Sequence, residues 1–400
     1  MSSRIVIDDA VPWQQEAFGQ LGMLRPRPGT AIDRESLRGA EALIVRSVTR
    51  VTARLLEGTS IRFVGSTTAG EDHIERAELE AAGITVASAP GCNAQAVAEY
   101  VVSALAHGKA RRLGAPPGPV GIVGLGHVGR RVARALRALG YDVQACDPPL
   151  AERRAKKLPI EDRDSALNNM ARFERLASLG EVLESSFVIS LHVPLTRIGA
   201  HATHHMLNRE QLSRLRHGQL LVNTSRGGVI DDGALERWIG DHEGKALIDV
   251  WESEPRIRES LLQGSSAVQL ATPHVAGYTL EGKLSATRQV HEALCRFLGR
   301  EPDFDGKQVL QDLGTIELTC HDPDAKHDWR PWVAAAIPLM RDDAKLRALA
   351  GLTPMDRGAR FEDMRRTYHL RRELSAFVIR GARLDAETHR CLSALGVRID

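Results

Sequence analysis

The sequence predicts an α/β protein with two doubly wound parallel-sheet domains and a small C-terminal α/β domain. The length of 400 residues exceeds what one ordinary core organises, so two or three domains are expected. Short apolar runs alternate with amphipathic stretches in two successive series, which is the rhythm of βα units around parallel sheets. Past residue 300 the chain changes character, and the remaining hundred residues suffice for a small domain of their own.

The first series occupies residues 1–92. RIVID (4–8), ALIVRS (42–47), RFVGST (62–67) and ITVASAP (84–90) read as buried strands. Asn93 then caps a helix in which Val97, Val101, Ala104 and Leu105 recur at helical spacing, with Gly108 as its stop. GAPPGP (114–119) breaks the chain before the second series. Strands are expected there at VGIVG (120–124), YDVQACD (141–147), FVISLHV (187–193), GQLLVNT (218–224), ALIDVW (246–251) and AVQLATP (267–273). The charged stretch between Asp147 and Ser178 has no strand period and reads as an exposed, partly helical insertion. EPDFDGKQ (301–308) reads as a linker. Beyond it come a strand at TIELTC, amphipathic helices around 329–350 and 360–375, and a strand at SAFVIRG. The expected domains are therefore 1–92 with 277–300, then 93–276, then 301–400.

A composition of 43 % hydrophobic and 26 % charged residues is that of an ordinary globular chain. A net charge of +2 gives no reason to expect nucleic acid or a membrane surface as partner. No apolar run approaches the ~20 residues needed to span a bilayer. The N-terminus enters a strand without a signal-peptide core, and the five cysteines are scattered with no CxxC pair. Both features predict a cytoplasmic protein with reduced thiols.

The stretch VGIVGLGHVGRRVARALRALGYDVQACD carries GxGxxG at Gly124, Gly126 and Gly129. On its own the spacing is common. Here it follows an apolar strand and opens a helix with Val128, Val132, Leu136 and Leu139 on its inner face, the context of a Rossmann dinucleotide site. The glycines provide a tight turn, a close approach to a pyrophosphate and close helix packing. The helix N-terminus adds N–H groups and the positive end of its dipole. Asp147, 23 residues after Gly124, is placed to accept hydrogen bonds from the adenosine ribose. Its charge would repel a 2′-phosphate, so NAD is expected over NADP.

Three further residues follow strands of this domain: Arg226 in LLVNTSRGGVIDDGAL, Glu254 in ALIDVWESEP and His274 in QLATPHVAGY. Ligands of open α/β sheets bind beyond the carboxyl ends of strands, so the three are expected to converge. Each alone is as easily a strand-end or helix-end side chain. Together they suit oxidation of a 2-hydroxy acid. Arginine holds a carboxylate with a bidentate, permanent charge. Imidazole takes a hydroxyl proton near neutral pH, and a carboxylate orients the imidazole.

The succession GIVGLGHVGRRVA, LHVPLT, VNTSRGGVIDDGAL, DVWESEP and TPHVAGYTLEG resembles the D-isomer-specific 2-hydroxyacid dehydrogenases. ALIVRSVTRV, FVGSTTAGEDHIE, APGCNAQAVAEYVVSAL and HVAGYTLEGK are similar to a branch acting on a small phosphorylated 2-hydroxy acid. The tail segments MRDDAKLRALAG and RRTYHLRRELSAFVI resemble that branch's own C-terminal domain, which implies a homodimer built through it. The resemblance implies a flavodoxin-like substrate domain ahead of the Rossmann domain and catalytic roles for Arg226, Glu254 and His274. It implies substrate contacts at Ser47, Thr68 and Tyr278. It also implies cofactor contacts at Leu125, Gly126, His127, Val128, Asp147, Val193, Thr224, Ser225, Asp249 and Gly277. The charged stretch after Asp147 and the segment joining Glu254 to His274 are longer than the family's pattern, and the first bears on the adenosine rim.

Arg46 ends a strand of the first domain and is a candidate for binding the substrate's carboxylate or phosphate beside Ser47. Lys283 is a weaker phosphate candidate. In HATHH (201–205), His201 and His205 stand at i, i+4, but no third ligand is evident and no metal is expected. The arginines of 357–372 read as a solvated face or a partner-subunit contact, and Cys92 as structural. The expected activity is NAD-dependent oxidation of a small phosphorylated 2-hydroxy acid. The alternatives are a dehydrogenase for another such acid, 3-phosphoglycerate for example, and an NAD-sensing interaction protein without catalysis.

Overall fold

The computed structural model describes residues 4–107, 118–157, 173–242, 244–263 and 268–400. The stop expected at Gly108, the first four residues of GAPPGP and the middle of the charged insertion (158–172) lie outside the described residues. The chain folds as two compact units, one of residues up to Asn93 with Tyr278–Gly314, the other of Ala94–Gly277 with Thr315–Asp400.

In the first unit, β1 (Arg4–Asp8), β3 (Ala42–Val45), β4 (Phe63–Ser66) and β5 (Thr85–Ala87) fall within the expected apolar runs. A further strand, β2 (Met23–Arg27), was not expected: MLRPR has two arginines, a proline and no buried residue. It lies at the edge of the sheet, where such residues keep unpaired backbone from recruiting another strand. All strands are parallel in the order β2-β1-β3-β4-β5, the flavodoxin-like winding. Alternation sends Ile5, Ile7, Ile44 and Phe63 to one face and Val6, Leu43, Val45 and Val64 to the other. The first face is covered by Val290, Leu294 and Cys295 of the helix Leu280–Leu298. Truncating Leu294 to alanine there would cost about 2–5 kcal/mol.

In the second unit, β6 (Val120–Val123), β7 (Val143–Cys146), β8 (Val188–Leu191), β9 (Leu220–Asn223), β10 (Lys245–Ile248) and β11 (Val268–Ala271) form one parallel sheet. Its order is β11-β10-β9-β8-β6-β7, so the winding reverses at β6, between β7 and β8. The helices Ala94–Ala106 and His127–Ala138 pack on the sheet through Val97, Val101, Val132 and Leu136. Among the described residues no helix is long and apolar enough to cross a membrane.

The C-terminal residues form a small parallel sheet, β12-β13-β14, from Ile316–Glu317, Phe377–Ile379 and Arg398–Ile399. The strand at Arg398–Ile399 escaped the sequence reading because two residues are too few to show a period. The helix expected over 360–375 runs over Pro354–Arg366 instead. Thr353 caps its start, accepting from the Asp356 N–H at 3.2 Å, and Pro354 suits its first turn. Beyond it Arg371 donates to the carbonyls of Val275 and Ala276, which holds 367–373 out of helix.

The division also differs from the expected one at residue 301. Residues up to Gly314 go with the first unit, and the tail joins the second. A shared apolar core, with Trp332, Val333 and Ile337 in one cluster with Val102, and side chain-to-backbone hydrogen bonds explain the second half of that change. Asp343 Oδ1 accepts the Ala271 N–H at 2.7 Å on the outer edge of β11, and Arg347 donates to Leu262 O at 3.0 Å. Glu99, 2 % exposed, accepts the Leu374 N–H at 2.9 Å and the Gln95 amide at 2.9 Å.

Burial, with the charge of Glu373 nearby, pushes the Glu99 carboxyl up to about 8 from an ordinary 4.5. The unfolded chain therefore releases this proton before the folded one does. Stability should fall as pH rises from about 4.5 to about 8 and then level off. Urea unfolding across that range checks this: Glu99→Gln should remove that part of the slope, and an unchanged slope would acquit Glu99.

Candidate active site

β6 runs into Gly124, whose φ of 93° is left-handed. A Cβ there would lie 2.5 Å from His192 O, and one on Gly129 would lie 1.9 Å from Gly124 O. The helix His127–Ala138 can therefore sit this close to the loop only with glycine at both points. At Gly126 an added Cβ would meet nothing within 4 Å, and Gly126 and His127 are exposed at the helix start. Asp147 links the end of β7 to this loop: Oδ2 accepts the Leu125 N–H at 2.8 Å, and Oδ1 caps the next helix through Leu150 N at 2.9 Å. Each oxygen keeps a lone pair for a hydroxyl donor. Val193 packs beside Gly124, with Cγ1 2.9 Å from that glycine's Cβ position. Beyond β9, Thr224 Oγ1 is buried with no hydrogen-bond partner among the described residues. Such an orphaned polar atom is what a bound cofactor satisfies, and the glycine-lined opening at Gly126 fits a dinucleotide.

After β9 the chain makes the turn that carries Arg226. Asn223 Oδ1 accepts from the N–H and hydroxyl of Ser225 at 3.1 and 2.8 Å, while Asn223 Nδ2 donates to Arg226 O at 3.0 Å. Ser225 was expected at the cofactor. It is buried, and its hydroxyl is used inside the turn, so its side chain shapes the loop. A Cβ on Gly227 would lie 1.9 Å from the Trp251 carbonyl carbon, so the turn lies directly on the segment leading to Glu254.

Glu254 and His274 meet as expected, with Nδ1 2.8 Å from Oε2. The other carboxylate oxygen accepts the Trp251 N–H at 2.7 Å. Burial works to raise the Glu254 carboxyl, but the neighbouring imidazole and these hydrogen bonds outweigh it and hold the group below the usual carboxylate range. An ionised Glu254 keeps the proton of His274 on Nδ1 and leaves the Nε2 lone pair as a base.

His274 is held at φ 57°, a left-handed value uncommon outside glycine. Asp249 explains how. Expected at the cofactor, it is 1 % exposed, and its carboxylate accepts Val275 N at 2.8 Å, Ala276 N at 3.0 Å and the Thr272 hydroxyl at 2.6 Å. Its carbonyl accepts His274 N at 2.8 Å, and Trp251 Nε1 donates to Thr272 O at 3.0 Å. Asn223, Trp251 and Thr272 were missed in the sequence. Only their positions signal them: Asn223 ends β9, Trp251 lies three residues beyond β10, and Thr272 follows β11 before Pro273.

On the first unit, Arg46 Nε donates to the fully buried Asp8 at 3.0 Å, and its Nη groups make no hydrogen bond among the described residues. Ser47 is exposed beside it. Thr68 donates to Gly70 O at 2.9 Å and shares a 2.8 Å bond with Ser66, whose hydroxyl also lies 3.0 Å from His73 Nε2. Tyr278, next in the chain after the half-buried Gly277, stands under Lys283 with Nζ 4.5 Å from the ring centroid. In HATHH the i, i+4 pair does not converge: His201 Nε2 meets Glu152 at 2.9 Å, while His205 meets Glu252.

The model of the D-isomer specific 2-hydroxyacid dehydrogenase NAD binding domain matches residues 117–276. A protein of Salinibacter ruber named erythronate-4-phosphate dehydrogenase is 40 % identical over 408 residues, covering 100 % of both chains. One of the same name from Marinobacter nauticus is 40 % identical over 94 % of each. Among solved structures, the Aquifex aeolicus D-lactate dehydrogenase with NAD and lactic acid aligns at TM-score 0.57 and 24 % identity, over 74 % of this chain and 95 % of its own. The NAD-bound 3-phosphoglycerate dehydrogenase of Entamoeba histolytica aligns at TM-score 0.59 and 23 % identity, over 76 % and 98 %. These two share the fold. With full-length relatives at such identity, and the glycine loop, Arg226 turn and Glu254–His274 pair in place, the chain belongs to the erythronate-4-phosphate dehydrogenase family of the D-isomer-specific 2-hydroxyacid dehydrogenases.

Proposed function

We propose that the chain oxidises 4-phospho-D-erythronate at C2 to (R)-3-hydroxy-2-oxo-4-phosphooxybutanoate, a step in pyridoxal phosphate (vitamin B6) biosynthesis. The name shared by its full-length relatives supports the substrate. The observation that carries the chemistry is the 2.8 Å Glu254–His274 pair next to the Arg226 turn. NAD, when bound, accepts the hydride from C2. Arg226 clamps the substrate carboxylate and polarises the C2 oxygen. His274 Nε2 takes the hydroxyl proton, and Glu254 orients the ring and stabilises the imidazolium that results. Gly124 to Gly129 and Thr224 hold the cofactor, with Asp147 on the adenosine ribose. Arg46, Ser47, Thr68 and Tyr278 are the proposed substrate contacts on the first unit. Asp249, through the backbone it holds, and Ser225, through its bond to Asn223, are positioning residues.

Turnover of the purified protein with NAD and a panel of phosphorylated 2-hydroxy acids tests this. 4-Phospho-D-erythronate should be preferred, and His274→Ala should lose roughly 10²–10⁴-fold in kcat on it. A clear preference for 3-phosphoglycerate sinks the substrate assignment, and near-normal turnover of the variant removes the histidine. Asp147→Ser should improve the use of NADP relative to NAD; a constant ratio would show that another group discriminates.

The enzyme is a cytoplasmic homodimer in this reading. Its five cysteines are all free thiols, which suits a reducing compartment. Of the nine large apolar side chains that are exposed among the described residues, six lie beyond residue 300, Met340 and Met355 among them. That bias supports an interface built by the C-terminal residues. Sedimentation should give a dimer for the wild type and a monomer for Met340→Glu/Met355→Glu; a dimer that survives both changes places the interface elsewhere.

A further inference from the structure

The HATHH segment carries a second constellation, which the dehydrogenase chemistry does not use. His205 adopts a left-handed φ of 51°, which sets its ring against that of His204, with centroids 4.0 Å apart and planes at 23°. His205 Nε2 hydrogen-bonds Glu252 Oε1. Glu252 is itself oriented, because its Oε2 accepts the Asp232 N–H at 3.0 Å. One ligand atom from each of His204, His205 and Glu252 lies within 4.8 Å of the other two. Beside them Asp232 is buried, and its Oδ2 has no hydrogen-bond partner among the described residues. The side chains of His205 and Glu252 remain 34 % and 25 % exposed, so an ion can reach them from solvent.

We propose that His204, His205 and Glu252 bind a divalent transition-metal ion of the zinc, nickel or cobalt kind. Two imidazoles and a carboxylate select such ions over magnesium or calcium, which prefer oxygen donors alone. Ligand distances of about 2.0–2.2 Å need donors roughly 3.4 Å apart, so His205 and Glu252 must part slightly and His204 draw in, which side-chain rotations supply. The ion takes the place of the proton between His205 Nε2 and Glu252 Oε1, and that proton leaves to solvent. Arg197 lies on the opposing side of the electrostatic balance and the Glu252 carboxylate on the favourable one. The site is coupled to the arginine turn by backbone. His205 N donates to Gly228 O at 2.8 Å, and a Cβ on Gly227 would fall 2.4 Å from Glu252 N. An ion held here would brace that turn.

The test is titration of chelator-treated, dialysed full-length protein with Co²⁺, followed by its visible absorption, with Zn²⁺ as competitor. A single Co²⁺ per chain should bind at micromolar concentration, be displaced by Zn²⁺, and bind more weakly as pH is lowered. His204→Ala and Glu252→Gln should each weaken binding by about tenfold or more. Binding that needs millimolar Co²⁺, or that is equal in wild type and His204→Ala, overturns the proposal. If Glu252→Gln does not fold, His204→Ala carries the test alone, since it removes no side-chain hydrogen bond among the described residues.

Discussion

At the carboxyl end of β10, the Asp249 carboxylate takes three hydrogen bonds from a turn that would not hold its shape without them. Two come from the backbone just past His274, and the third from the Thr272 side chain just before it. Left without that acceptor, each buried donor would cost about 1–3 kcal/mol. The left-handed conformation of His274 is itself unfavourable by roughly 1–2 kcal/mol, so the turn exists because the carboxylate over-determines it. Once it exists, the imidazole falls within 2.8 Å of Glu254. The reactive pair thus depends on a residue that touches neither of its functional atoms with its side chain.

A similar economy governs the other two strand ends. Asn223 closes the Arg226 turn with three hydrogen bonds of its own, and Asp147 joins β7 to the glycine loop. Each is a polar side chain in the first position beyond an apolar strand or at its last residue. Parallel strands end together on one edge, so a short polar residue at each end can fix its neighbour's backbone. The chemistry then projects from loops that a rigid sheet has already aligned.

Most of this was legible from residue types and spacing. The buried strands announce themselves as continuous apolar runs, and the helix after Gly126 by its repeat of Val132 and Leu136. Arg226, Glu254 and His274 are visible because each follows such a run. What the sequence conceals is whatever depends on tertiary partners. β2 is an edge strand with no apolar period to detect. The tail's attachment to the second unit rests on a shared apolar core, with Trp332, Val333 and Ile337 in one cluster with Val102, and on polar pairs such as Asp343 with Ala271 N and Glu99 with Leu374 N, none of which a local pattern encodes. Ser225 and Asp249 sit where cofactor contacts are expected, yet their polar atoms are committed to loop backbone or to Asn223. The pairing of His205 with its neighbour His204 is hidden because adjacent side chains ordinarily diverge, and only the left-handed backbone of His205 brings the two rings together.

The helix Leu280–Leu298 has a consequence for how the protein is made. It supplies Val290, Leu294 and Cys295 to the core of a sheet whose own strands end at Ala87. Some 190 residues, the whole middle of the chain, separate the sheet from the helix that covers it. At ribosomal speeds of about 5–20 residues per second, that is a wait of roughly 10–40 s. During that time the face that carries Ile5, Ile7, Ile44 and Phe63 has Phe18 and Leu21 to cover it but lacks Val290, Leu294 and Cys295. A sheet made before the unit inserted into it is therefore completed only after that unit has been made.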